Sequence, residues 1–398
     1  MSKLIVVSEF VSSTDNSTGY FWSSLIRKAA VEFSETTVVS PGGLDDLENI
    51  NYIKINSFKY NKNNFFSRLF FQIFQSLQFS FKILKIARKK DTLLVGTNPS
   101  ILLFFLPILK KILGFNWILL VHDVIPENLV PAGVIKKDSF AFKILSKYFS
   151  FVYSSPDRLV VIGGDMKDLV VDKSHIDASK IEIIQNWVDH NDIDLISKET
   201  NPIYEELKIS EDSFVFAFFG NLGRVQGVSN ILEASKYINS EKVKVLFIGD
   251  GYCKNELLDF IENNHKSNVL YYGPIEQERK NIGLSACDVA LVTLADGMLG
   301  LGVPSKAYFS MAADKPILSV MEEQAEVSNM VREHGIGWVC PPGRPKELAM
   351  LFDEIYSTHD TQNIRSSKKV LIDFYSEKVA LEKFAHCIRQ VHVGSEGL

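Results

Sequence analysis

Short apolar runs alternate with longer amphipathic segments along the whole chain. In the first half the runs read "KLIVVS", "TTVVS", "TLLVG", "NWILLV", "RLVVIG" and "KIEIIQ"; in the second, "FVFAFFG", "KVKVLFIG", "NVLYYG", "VALVTL" and "PILSV". Runs of four to six apolar residues that stop at Gly, Ser or Asn suit parallel strands covered on both faces by helices. The pattern predicts two consecutive doubly wound α/β domains. The polar stretch "DHNDIDLISKETNPIYEELKISEDS", residues 189–213 with Pro202, reads as their boundary. The first domain is thus placed at residues 1–190 and the second at 200–375, with a last helix over about 376–398 expected to pack back on the first. Ligands gather at the C-terminal ends of parallel strands, so a cleft between the domains is the expected site.

Two segments depart from the pattern. "NNFFSRLFFQIFQSLQFSFKILKIARKKD", residues 63–91, holds seven Phe between positions 65 and 81, then Lys82, Lys85, Arg88, Lys89 and Lys90. Phe66, Phe70, Ile73, Leu77, Phe81 and Leu84 share one helical face, while Phe71, Phe79 and Ile83 lie off it. That is more apolar surface than one core contact needs. Two readings stand: a helix packed on its sheet, or one that also touches a membrane surface. "ILLFFLPILKKILGFNWILLV", residues 101–121, is interrupted by Pro107 and the Lys110–Lys111 pair. Its apolar pieces fall short of the ~20 residues of a membrane span, so helix, turn and buried strand are expected.

Composition adds limits. With 398 residues, 46% hydrophobic and 23% charged, the chain can bury two cores. Residues 1–190 carry 22 Lys and Arg against 18 Asp and Glu, whereas the remainder carries 21 against 30. The basic and acidic halves suggest different partners, with no nucleic acid indicated. Cys253, Cys287, Cys340 and Cys387 form no C-x-x-C pair, which argues against a disulfide framework or zinc site and fits a reducing cytoplasm. The start "MSKLIVVSEF" reads as a buried strand and not as a secretory segment.

Candidate chemistry collects after the strands. "HDVIPENLVPAG" follows "NWILLV" and bunches His122, Asp123 and Glu127 in a loop fixed by two prolines. In the second half Gly220, Gly223 and Gly227 surround Arg224; Gly249-Asp250-Gly251 ends the next strand and Gly273-Pro274 the one after. A further glycine loop, Gly297 to Gly302, runs through Val303, Pro304 and Ser305 to Lys306 and an apolar helix-like run, an arrangement suited to an anion. Together these strand ends outline a pocket of nucleotide size lined by backbone amides.

The order and spacing of "STGYFWSSL", "HDVIPEN", "RLVVIGGDM", "IIQNWVD", "FFGNLGRVQG", "FIGDG", "VLYYGPI", "GVPSKAYFSMAADKPI" and "GIGWVCPPG" resemble the retaining glycosyltransferases of family 4, which have the GT-B fold. The resemblance covers nearly the whole chain and is strongest to enzymes of bacterial O-antigen, capsule and colanic-acid assembly, including N-acetylfucosaminyl transferases. It implies transfer of a hexosyl or N-acetylhexosaminyl group from a nucleoside diphosphate-sugar, UDP favoured, to a lipid-linked oligosaccharide by a cytoplasmic, peripheral membrane enzyme. It places His122 near the donor sugar, with Glu127 as a further catalytic candidate. Gly19 would lie in an N-terminal loop facing the diphosphate, and Asn221, Arg224 and Lys306 near it. Gly249, Asp250, Gly251, Tyr272, Gly273, Pro274 and Ile275 would surround the nucleotide, with Gly302, Val303, Pro304 and Ser305 at the glycine loop.

The sequence departs from the family at three positions. Arg and Lys, common in the "GNLGRVQG" region, are replaced by Asn221 and Gln226, and the second Glu of the usual Glu, seven residues, Glu pattern is Phe309. The usual carboxylate roles are therefore not carried over. A metal-free site is expected, in which amides and Lys306 stabilise the leaving diphosphate. A non-hydrolysing nucleotide-sugar 2-epimerase and a non-catalytic partner subunit are the alternatives.

Overall fold

The computed structural model describes residues 3–12, 17–33, 35–43, 50–58, 65–264, 268–359, 361 and 363–393. The chain divides into two compact units. The first comprises Met1–Pro126, Lys137–Asn186 and Lys378–Leu398; the second comprises Glu127–Lys136 and Trp187–Glu377.

In the first unit, strands β1 (Leu4–Val7), β2 (Thr36–Ser40), β3 (Ile50–Lys54), β4 (Thr92–Gly96), β5 (Asn116–Val121), β6 (Arg158–Val161) and β7 (Ile181–Ile183) form one parallel sheet. Its order is β3-β2-β1-β4-β5-β6-β7, which reverses direction at β1 and β4 as a doubly wound sheet does. Helices α1 (Ser17–Glu32), α2 (Phe65–Ile86), α3 (Leu106–Leu113), α4 (Phe140–Ser154) and α5 (Gly164–Ser174) connect the strands. Every residue of β1, β2 and β4 is buried, as uninterrupted apolar runs require. Residues 101–121 form a 3-10 turn, α3 and β5; Gly114 ends α3 in the left-handed region at φ 70° and donates to the Lys110 carbonyl at 2.8 Å.

Helix α2 packs the other way round from what its stripe suggests. Phe71, Phe79 and Ile83, the residues off the stripe, are buried, while Phe66, Phe70, Ile73, Leu77, Phe81 and Leu84 are exposed. Residues 63 and 64 of the basic, phenylalanine-rich segment lie outside the described residues. Gly19, expected in a loop, is buried in the first turn of α1.

In the second unit β8 (Phe214–Phe219), β9 (Val243–Ile248), β10 (Val269–Gly273), β11 (Val289–Thr293), β12 (Ile317–Val320) and β13 (Gly337–Cys340) form a parallel sheet in the order β10-β9-β8-β11-β12-β13. Around it stand α6 (Pro202–Glu206), α7 (Val228–Ser235), α8 (Lys254–Asn263), α9 (Lys280–Ser285), α10 (Lys306–Ala312), α11 (Glu326–His334), α12 (Pro345–Thr358) and α13 (Ser367–Phe374). Phe214, Phe216 and Phe218 fill one face of the sheet, and Phe216 meets Phe352 of α12 edge-on at 4.6 Å; Val215 and Ala217 point to the other face.

Two boundaries differ from the sequence reading. Most of the polar stretch 189–213 is folded onto the second unit, because its polar groups are used there. Lys198 pairs with Asp288 at 2.7 Å, the Ile196 amide donates to Ser285 Oγ, and Asn201 caps α6 while donating to the Ile282 carbonyl. Residues Glu127–Lys136, read as part of the first domain, group with the second. A last helix, α14 (Glu377–Val393), belongs to the first unit from Lys378 onward. It buries Ala380, Phe384, Cys387 and Ile388, and Glu382 pairs with Lys28 of α1 at 2.7 Å.

Candidate active site

The parallel sheet of the second unit sends the segments after β8, β9, β10, β11 and β12 to one edge. The segments after β8 and β9 are laced together. Gly220 donates its amide to the Ile248 carbonyl and Leu222 to that of Asp250, both at 2.9 Å, while Cys253 returns a bond to Leu222. A Cβ on Gly249 would stand 1.9 Å from the Gly220 carbonyl oxygen, and φ there is 142°, so only glycine lets the two backbones approach this closely. Gly251 is confined in the same way by Asn221 and Leu222, and its amide donates to Asp250 Oδ1 at 2.7 Å. On the other side the Ala295 amide donates to the Val225 carbonyl, and Thr293 Oγ1 donates to the Gln226 carbonyl. The glycines of this region hold a rigid floor of backbone groups.

Lys306, the first residue of α10, reaches back to that floor. Its Nζ donates to Gln226 Oε1 at 2.6 Å and lies 3.7 Å from the ring centre of Phe218. No carboxylate forms an ion pair with it among the described residues, and the surrounding protein strips water from the ammonium. Desolvation lowers its pKa to about 7. Arg224 is more exposed, and its guanidinium stacks on the Tyr252 ring at 3.5 Å. The amides at the start of α10 are less available than the sequence suggests. Those of Ala307 and Tyr308 already donate to the carbonyls of Pro304 and Ser305, and α10 is only seven residues long. The glycine loop leading through Gly302 and Val303 is tied to the segment after β12 instead: Gly297 donates its amide to Glu322 Oε1 at 2.8 Å.

After β10, Tyr272, Pro274, Ile275, Glu276, Arg279 and Ile282 line an open recess of about 210 Å³. Gly273 accepts the Gly249 amide at 2.8 Å, and Tyr272 donates its hydroxyl to Glu206 Oε1, so the recess adjoins the laced segments and is braced by α6.

In the first unit His122 follows β5 directly. The amides of His122 and Asp123 both approach Thr97 Oγ1, at 3.2 and 3.4 Å, and the Ile125 amide donates to the Tyr153 hydroxyl. Desolvation lowers the His122 pKa to about 4, so the imidazole is neutral at pH 7. The same effect raises Asp123 toward about 6, tempered by the water access of an exposed side chain. Glu127 opens a 3-10 turn in the segment that groups with the second unit. Among the described residues no cluster of three or more His, Cys, Asp or Glu has the geometry to hold a metal ion.

The structure thus gathers Asn221, Arg224, Gly249 to Gly251, Tyr272 to Ile275 and Lys306 at one sheet edge, and leaves His122 in the other unit. Phe218, Gln226, Tyr252 and Glu322 were missed by sequence reasoning. Gln226 alone left a signal, as the neutral residue where a lysine is common.

Residues 24–192 match the family described as Glycosyltransferase Family 4, and residues 200–369 that described as Glycosyl transferases group 1. The chain is 46% identical over 394 residues to a probable glycosyltransferase, WbjE, of Pseudomonas aeruginosa, covering 98% of each. It is 20% identical over 257 residues to the putative colanic acid biosynthesis glycosyl transferase WcaI of Escherichia coli K12, covering 63% of this chain and 62% of that one. Among solved structures, Anabaena HepE in complex with UDP-glucose superposes with a TM-score of 0.71 at 13% identity, over 98% of this chain and 100% of that one. Two parallel-sheet units, one of them ending in a glycine-laced edge with a lysine over it, and an extended match at this identity have one reading: the chain belongs to the family 4 glycosyltransferases and has the GT-B fold.

Proposed function

We propose that the enzyme moves a hexosyl or N-acetylhexosaminyl group from a UDP-sugar to a lipid-linked saccharide during assembly of a bacterial surface polysaccharide, with retention at the anomeric carbon, at the inner face of the plasma membrane. The observation that carries the reading is Lys306 held over Phe218 by Gln226, a cation without a carboxylate partner among the described residues, beside backbone packed too closely for any residue but glycine. A diphosphate supplies the missing negative charge. As the bond from the anomeric carbon to the diphosphate oxygen breaks and the acceptor hydroxyl oxygen bonds to that carbon, giving up its proton to the departing diphosphate, charge builds on the leaving group, where Lys306 stabilises it. Arg224 adds a second cation, the recess at Tyr272 to Ile275 takes the base, and His122 and Glu127 act on the transferred sugar. UDP is favoured because HepE is described in complex with UDP-glucose, and a surface polysaccharide because WcaI is described as a colanic acid enzyme.

Thermal shift of the purified protein with UDP, GDP, CMP and dTDP tests the donor, since a ligand at 100 times its Kd stabilises by ~2.7 kcal/mol. Stabilisation by GDP and not by UDP overturns the base assignment. Failure to consume any nucleotide-sugar on membranes carrying lipid-linked acceptor makes the chain a non-catalytic subunit.

A further inference from the structure

Large exposed apolar side chains are not spread evenly over this molecule. Among the described residues, eleven of the twenty-one lie on α2, α3 and α4. Isolated exposed hydrophobics are ordinary, but a concentration of this kind marks a contact surface. On α2 they follow the helical repeat, from Phe66 to Leu84, along the side away from Phe71, Phe79 and Ile83, so the exposed stripe is not a frayed edge of the core. Ile108 and Ile112 are likewise exposed on α3, and Phe140, Ile144 and Phe151 on α4. The three helices are neighbours in the first unit. Helix α2 packs on α3, the Tyr148 ring of α4 stacks on Phe104 at 5.0 Å, and Lys110 of α3 donates to the Ser155 carbonyl at the end of α4.

Charge decides what covers this face. Helices α2, α3 and α4 contain no Asp or Glu. They carry Lys82, Lys85, Lys111, Lys143 and Lys147, all at least partly exposed, and Arg88, Lys89 and Lys90 follow α2. Lys85 lies over the Phe81 ring at 4.3 Å, an ammonium above an apolar anchor. Apolar side chains rimmed by cations, with no acid on the three helices, suit an anionic bilayer surface, whose charge attracts the ammonium groups while its interface takes up the apolar side chains. None of the described helices is long and apolar enough to cross a membrane, so the contact is with the surface.

We propose that α2, α3 and α4 together form one membrane-seating face that rests on an anionic leaflet with Phe70, Leu77, Phe81, Ile112, Ile144 and Phe151 among its anchors. The proposal rests on the reading of a lipid-linked acceptor and extends the contact beyond the single helix visible in the sequence. Seating through three helices fixes the tilt and rotation of the first unit on the leaflet, which one helix lying in the interface does not.

The test is flotation of the full chain with vesicles of phosphatidylcholine alone or with one-third phosphatidylglycerol, for wild type and two sets of surface variants. One set is Leu77→Ser, Phe81→Ser and Leu84→Ser on α2; the other is Ile144→Ser, Lys147→Glu and Phe151→Ser on α4. Thermal melting and UDP-induced stabilisation, measured on each, separate misfolding and loss of donor binding from loss of seating. Wild type should float with the anionic vesicles, and each set should lower the bound fraction at least tenfold with donor binding unchanged. Unchanged flotation of the α4 set reduces the contact to α2 and overturns the three-helix face. Indifference of wild type to both vesicles overturns seating altogether, and self-association lost in the same variants would assign the face to a second copy; the donor reading survives either result.

Discussion

Lys306 Nζ donates to Gln226 Oε1 across 2.6 Å, and the ammonium sits 3.7 Å above the Phe218 ring. A lysine at position 226, common in the resembling enzymes, would face Lys306 at hydrogen-bond distance and repel it. The neutral amide instead orients Lys306 and leaves it the cation at this spot. Charged hydrogen bonds are worth ~1.5 to 3 kcal/mol and more where charge develops in the transition state. Lys306→Ala should therefore cut turnover at least ~100-fold. Gln226→Leu should lower it less, through misorientation, and added magnesium should restore neither. Loss of wild-type activity in EDTA would defeat this metal-free account.

Because desolvation holds the Lys306 pKa at about 7, below that of a free lysine, a diphosphate that binds beside it must pull a proton onto it. Above this pH the affinity for a UDP-sugar should weaken by up to about tenfold per pH unit, and binding should take up a proton. Calorimetry in buffers of different ionisation heats checks both, and Lys306→Ala should abolish them. The stability effect has a definite sign. From pH 7 to the ordinary lysine value the unfolded chain holds a proton that the folded chain lacks, so this site's penalty is full below pH 7 and fades as pH rises. Lys306→Met should thus stabilise the protein at about pH 6 and hardly at all near pH 10.

His122→Ala should lower turnover strongly while leaving UDP affinity nearly intact, because His122 belongs to the first unit and the glycine-laced floor to the second. Kinetics set against UDP titration make the distinction, and equal losses in both would move His122 to the nucleotide. Below the ordinary histidine pKa, down to about 4, the unfolded chain gains a proton that folded His122 refuses, so this residue destabilises the fold as pH falls through that window. His122→Ala should flatten that part of the acid limb of the melting curve.

Gly249→Ala places a methyl 1.9 Å from the Gly220 oxygen at a φ that alanine avoids. The variant should melt well below wild type, by several degrees for each kcal/mol lost, and should lose UDP stabilisation as the two segments part.

Arg224→Ala should act mainly on affinity for the diphosphate. Its guanidinium is pre-oriented by the Tyr252 ring, a stack worth about 0.5 to 2 kcal/mol, so Tyr252→Ala should weaken UDP binding in wild type but not in Arg224→Ala. Additive effects in the double variant would mean that Tyr252 acts independently.

The strands buried on both faces were readable in the sequence because burial leaves no room for polar residues. β3 and β13 were not: each lies at a sheet edge, with partly exposed residues that break the apolar run. The floor of the site was foreshadowed by glycines, since a close backbone approach admits no other residue. Gln226 and Phe218 could be placed only by tertiary contact, for nothing in their spacing announces that a lysine eighty residues onward will lie between them. Helix α2 shows the same limit. Its periodicity marked a face, but not whether that face turned inward.

The first unit closes on both ends of the chain: Phe384 and Ile388 of α14 are buried within it, and Glu382 clasps Lys28. On the ribosome this imposes an order. The second unit's residues are all synthesised before residues 378 onward, so the second unit can finish folding while the first still lacks a piece of its core. A chain released short of residue 378 would therefore carry a complete second unit beside an unfinished first one.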